Sequence, residues 1–132
     1  MVTRSALLAV AIALGLLSGC GSSGDVGPSR AADGFEAALA AGDGKAACGL
    51  LTDAAVKELE SSAGQPCAQA VLDEAKVAGD RLEVQRFGTM AEVRFRDDVL
   101  FLAEAPGGWR VNAAACKPVA GGRPYDCDIA GG

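Results

Sequence analysis

Histidine does not occur anywhere in the 132 residues. Its absence removes the commonest transition-metal ligand and the commonest general base at neutral pH. Also missing are a glycine-rich phosphate loop, a nucleophile set beside a base, and any CxxC pair. Basic residues are few, 12 against 17 acidic for a net charge of -5, and they stand singly along the second half. That pattern is the opposite of a nucleic-acid footprint. No apolar run reaches the roughly 20 residues that a membrane-spanning helix requires. These absences lead us to expect no cofactor, no metal ion, no nucleic-acid partner and no catalytic residue set.

What is present starts with the longest apolar run. Arg4 is the only charge before residue 25, and residues 5–17 are mostly Ala, Leu, Ile and Val, followed by Ser18 and Gly19. A short positive start, an apolar stretch of about 7 to 15 residues and small residues before a cut make an export signal. The end of this one, Leu17-Ser18-Gly19-Cys20, is similar to the lipobox of bacterial lipoproteins. That resemblance implies that residues 1–19 are removed, that the Cys20 thiol carries a diacylglycerol, and that Cys20 is the N-terminus of a protein held at the outer face of the membrane. Two or more acyl chains hold a protein stably where one holds it marginally. "GSSGDVGPS" follows, and its composition is that of a flexible tether over residues 20–29 that lifts the domain off the bilayer.

Setting Cys20 aside leaves Cys48, Cys67, Cys116 and Cys127, an even number in a chain bound for an oxidising compartment. Four cysteines allow three connectivities. The pairing Cys48–Cys67 with Cys116–Cys127 is favoured because each pair is close in sequence and lies within one half of the chain. Each closed loop would contribute about 3 kcal/mol by the chain-entropy argument. Successive cysteines are separated by 18, 48 and 10 residues, which is not the spacing of a four-cysteine metal site.

Residues 30–132 have the length of one domain. Ala31, Phe35, Ala38 and Leu39 recur at helical spacing, with Ser29 placed as a cap and Gly42 as a stop. A short helix over residues 45–51, a third over 53–60 capped by Thr52, and a fourth opened by Pro66 follow. After Gly79 the period changes to 2. Leu82, Val84 and Phe87 suggest a strand disturbed near its end, whereas Ala91, Val93 and Phe95 alternate cleanly. Residues 99–105 read as a central strand, "APGGW" as the strongest turn, and Trp109, Val111 and Ala113 as one side of the next strand. A last strand is expected over residues 125–129. Helices first and a meander afterwards predict an α+β domain, with N-terminal helices packed on one face of a curled antiparallel sheet of four to five strands.

"FEAALAAGD", "AACGLL" and "GGWRVNAAAC" together resemble the nuclear-transport-factor-two-like, or cystatin-like, cone fold of many actinobacterial lipoproteins, and the tail "PYDC" is similar to a recurring ending of such lipoproteins. The likeness covers about residues 30–114 and implies a fold, not an activity. The chain departs from it in showing no strand between the early helices.

The chemistry-bearing residues have plain readings. Asp97 and Asp98 form a carboxylate pair within "RDD", where exposed turn acids are expected. Asp126 and Asp128 flank Cys127 but offer two carboxylates where calcium takes six or more oxygens. Tyr125 and Trp109 read as packing residues. Arg86, Arg94, Arg96 and Arg110 are a candidate basic surface for anionic lipid or a cell-wall polymer, or else a solvated sheet face paired with Glu83 and Glu92. The expected protein is a monomeric, lipid-anchored, non-catalytic binding or accessory module of the cell envelope, with an envelope protein or cell-wall polymer as partner. A small pocket enzyme using a carboxylate or Tyr125, and a structural spacer, are the alternatives.

Overall fold

A computed structural model describes residues 23–132; Cys20 and the export signal lie outside the described residues. Four helices come first: α1 (Ser23–Ala40), α2 (Gly44–Gly49), α3 (Asp53–Ala63) and α4 (Cys67–Glu74). Five strands follow: β1 (Arg81–Phe87), β2 (Met90–Phe95), β3 (Val99–Ala105), β4 (Gly108–Val119) and β5 (Arg123–Ala130). They pair antiparallel in chain order, β1-β2-β3-β4-β5, and the sheet does not close. The α+β class with helices on one side of the sheet is therefore present. None of the described helices is long and apolar enough to cross a membrane.

The core lies between the helices and one face of the sheet. Phe35 of α1, Leu59 of α3 and Val71 of α4 meet Val93, Leu100, Leu102, Val111 and Ile129. Alternation along β2 and β3 puts Ala91, Val93, Leu100 and Leu102 inward and leaves Met90, Glu92, Phe101 and Ala103 on the helix-free side. Thr52 accepts the N–H of Ala55 at the start of α3, and Gly64 ends that helix with the positive φ that suits a residue without Cβ. Pro66 is the N-cap of α4, and the Glu60 carboxylate takes the Cys67 N–H at 3.1 Å.

Three details depart from the sequence reading. Helix α1 begins at Ser23, not at residue 30, so most of the expected tether is helical. Pro28 lies inside it with its ring fully buried. A proline in a helix interior costs about 3 kcal/mol, and here burial offsets a penalty that composition alone made prohibitive. The irregularity of β1 lies at its start, between Arg81 and Glu83, rather than near its end. Helix α2 ends at Gly49 rather than at residue 51, and Leu51 instead makes a single parallel bridge to Val111. The Thr52 N–H donates to Val111 O at 2.9 Å and the Val111 N–H to Leu50 O at 2.7 Å.

Both disulfides join near neighbours, Cys48 to Cys67 and Cys116 to Cys127. The first fastens α2 to the start of α4, where the helices touch so closely that a Cβ on Gly44 would run into the Ala68 carbonyl. Overpacking against backbone costs about 1 to 3 kcal/mol. We therefore expect Gly44→Ala to lower the urea midpoint by that amount of stability. Gly49→Ala, five residues along in open space, should be neutral or gain up to about 1 kcal/mol. Equal midpoints for the two variants would contradict the close crossing.

Candidate functional site

The turn between β2 and β3 is built from Asp98. Its backbone carbonyl accepts the Phe95 N–H at 2.9 Å. The side chain then turns inward: Oδ1 accepts the N–H groups of Val99 at 2.7 Å and Cys116 at 2.8 Å, and Oδ2 accepts that of Ala115 at 2.8 Å. Ala115 holds φ +55°, a left-handed value that an alanine rarely adopts. The carboxylate sits across that bend and satisfies two N–H groups that the bend turns toward it. Asp98 is thus a buried structural acid and not the exposed turn residue that "RDD" suggested, while Asp97 is exposed.

Beyond the bend, β4 and β5 continue as a pair, with Cys116 facing Cys127 and Lys117 facing Asp126. Tyr125 meets Phe101 across a 5.6 Å ring separation, tilted by 56°. Three depressions follow one another around this arm. One of about 300 Å³ lies between Glu74, Lys76, Asp97, Lys117 and Asp128. A second, about 230 Å³, shares Asp97, Asp98 and Cys116 with it and adds Arg94, Arg96 and Tyr125. The third, about 450 Å³ and mainly apolar, shares Tyr125 and runs over Met90, Phe101, Ala113, Pro124 and Ala130 on the helix-free side. Among the described residues no group of three or more Cys, Asp or Glu is placed to hold a metal ion; Asp126 and Asp128 lie at the edges of separate depressions.

The four arginines do not form one stripe. Arg86 is paired in register with Ala91, whose side chain is buried, so it lies on the helix-facing side. Its guanidinium stands 5.1 Å from the Trp109 ring and 3.7 Å from Glu104. Arg94 points the other way and pairs with Glu83 at 3.2 Å and Glu92 at 3.1 Å. Arg96 pairs with Asp80, and Arg110 lies by the β3–β4 turn, bonded to Trp109 O at 3.2 Å. Register thus puts Arg86 on the opposite face of the sheet from Arg94 and Arg110.

Glu36 escaped the sequence reading because it falls one residue after Phe35 on a helix whose inward face looked purely apolar. It is only 8% exposed. Oε2 accepts the Ala78 N–H at 2.7 Å, and Oε1 has no partner among the described residues. Burial pushes its carboxyl above the ordinary range; the Ala78 bond opposes this, and the nearby charges of Asp98 and Asp33 add to it. Glu36 lines none of the three depressions.

No family model, no curated protein and no solved structure matches this chain.

Two consequences follow for stability. Exchanging Asp98 for Asn leaves one oxygen to serve three N–H groups and should cost about 2 to 3 kcal/mol, read by urea denaturation; a loss below about 0.5 kcal/mol would show the pin to be dispensable. For Glu36 the sign is set by a native pKa above the ordinary 4.5. Its contribution is complete below the unfolded value and is lost as pH rises through the native one. Glu36→Gln should match the wild type near pH 4 and become progressively the more stable as pH rises. A difference in Tm that stays constant or shrinks over that range would refute the assignment.

Proposed function

We propose that the protein is a lipid-anchored extracytoplasmic binding module that holds an envelope partner, a protein segment or a wall polymer, along the groove beside Tyr125. The observation that carries the reading is the helix-free side of the sheet. It presents a mainly apolar depression of about 450 Å³, edged by the rings of Phe101 and Tyr125. A concave, largely apolar site with a few polar groups at its rim is the usual form of a binding site. The two buried carboxylates, by contrast, are turned to the protein's own backbone: Asp98 through three N–H groups and Glu36 through one. That use of the acids favours binding over acid/base chemistry. The two disulfides suit an oxidising compartment, and the lipobox-like Leu17-Ser18-Gly19-Cys20 supplies the address. The cone-fold likeness fits four helices on an antiparallel sheet, although the sheet here stays open.

The address and the groove are tested separately. Cys20→Ala should move the protein out of the membrane fraction; unchanged fractionation would overturn the anchor. Chemical cross-linking of the anchored protein in its own membranes should yield partners that Tyr125→Ala loses by tenfold or so, the loss of about 1.4 kcal/mol of contact. An identical cross-linked set from both proteins would overturn the groove.

A further inference from the structure

The early start of α1 bears on how the domain stands on its membrane. Three peptide steps separate Cys20 from Ser23, a reach of at most about 11 Å. From Ser23 the helix rises about 1.5 Å per residue, so Gly27 lies only about 6 Å further on. There the helix is fixed. Gly27 sits against the Trp109 indole so closely that a Cβ would stand 2.5 Å from its Cδ1, while the Arg86 guanidinium occupies the ring 5.1 Å from its centroid. An anchor at Cys20 would therefore hold this end of the domain, and no other, near the bilayer.

The same end carries the tips of two hairpins, the β1–β2 and β3–β4 turns. Glu104 N–H donates to Thr89 O at 2.8 Å, which sets the β1–β2 turn beside the end of β3. Phe87 and Met90 face each other across that turn, 61% and 43% exposed. Arg30 and Arg110 line a depression of about 330 Å³ together with Gly27 and Trp109. Asp25 falls in the first turn of α1; among the described side chains the carboxylates here are Glu104, set against Arg86, and Asp53, which lines a smaller depression with Arg110. At the opposite end stand Glu74, Asp80, Asp97, Asp98 and Asp128, with Lys76, Arg96 and Lys117 among them, near Val77 and Leu82, whose exposure belongs to that far end.

We propose that the end formed by the start of α1 and the two hairpin tips rests on the anionic phospholipid headgroups of the membrane that holds the anchor. This rests on the reading of Cys20 as the lipid-bearing residue. Phe87 and Met90 enter the headgroup layer, Trp109 sits at the interface that its amphipathic ring favours, and Arg30 and Arg110 meet lipid phosphate. The far end, where carboxylates outnumber the basic groups, then points away from the negatively charged surface.

Trp109 is the single tryptophan of the chain, so its fluorescence reports this end alone. The full lipidated protein is reconstituted into phosphatidylglycerol or phosphatidylcholine vesicles, with and without lipids brominated near the headgroup, and floated on a density gradient. The expected result is co-flotation, with Trp109 emission reduced by about half in brominated phosphatidylglycerol and much less in phosphatidylcholine. The variant Phe87→Ser with Arg30→Glu and Arg110→Glu should float equally but recover most of the emission. Flotation without quenching would overturn the proposed face and leave the anchor standing. Failure to float would overturn both. Equal quenching in the two lipids would overturn the role of the arginines, and quenching that depends on protein density would assign the end to a second copy instead.

Discussion

Most of what distinguishes this domain from a plain helix-on-sheet packing depends on the three backbone N–H groups gathered by Asp98. A β-strand that bends must leave part of its ladder, and every N–H so released inside the protein needs a partner. Strand β4 bends at Ala115, where φ is +55°. A carboxylate is suited to the position because one side chain offers two acceptor oxygens with several lone pairs and no donor that would clash with the N–H groups. The bend lets β4 pair with β3 up to Ala113 and then continue with β5 alone. The disulfide-bonded arm, Tyr125 and the groove beneath it follow from that divergence.

A second polar position works against stability. Glu36 spends one oxygen on the linker ahead of β1, taking the Ala78 N–H, and buries the other without return. An apolar residue there would leave the Ala78 N–H unmet, so the choice is between two imperfect arrangements. Burial raises the pKa of Glu36 and so shifts its balance toward the neutral acid, and the bond to Ala78 survives in either state because the acceptor remains. The same linker also holds the β2–β3 turn through Asp97 N–H to Ala78 O at 2.9 Å. Glu36 and Asp98 thereby brace one end of the sheet from two sides.

How much of this was legible in the sequence depends on the kind of information each feature needs. Periodicity placed the helices and the first four strands because burial on one face imposes 3.6 or 2 on the chain wherever that face is continuous, whereas the last strand, expected over residues 125–129, carried no such pattern and runs over Arg123–Ala130. Near-neighbour cysteines gave the two disulfides. Composition misled at residues 23–29: glycine, serine and proline signal a loop only when nothing packs on them, and here Pro28 is buried and Gly27 lies against Trp109. Asp98 looked like any turn acid because its partners, Ala115 and Cys116, are 17 and 18 residues away, a distance at which spacing carries no signal. Glu36 has its partner 42 residues on and was hidden for the same reason. Arg94 pairs with Glu83 and Glu92, as one of the two sequence readings had it, whereas the face on which Arg86 lies is decided by strand register, which is not written in one strand alone.

The geometry of β4 links the two halves of the functional reading. Trp109, at the end nearest Cys20, and Cys116, at the bend, are seven residues apart on one strand, at most about 23 Å at the usual rise. On the proposed anchoring, a domain standing on its β1–β2 and β3–β4 hairpin tips would hold the Asp98 bend and the disulfide-bonded arm up to that far from the bilayer. The groove runs between these levels, from Met90 near the tips to Tyr125 beside the arm. A partner lying in it would be oriented along the membrane normal, with its far end at the arm where Lys117, Asp126 and Asp128 are exposed. With the anchor proposed at Cys20, the short reach to α1 would make that orientation a property of the fold rather than of a tether. A long flexible linker would average it away, because the end-to-end distance of such a chain grows with its length and leaves the domain free to tumble.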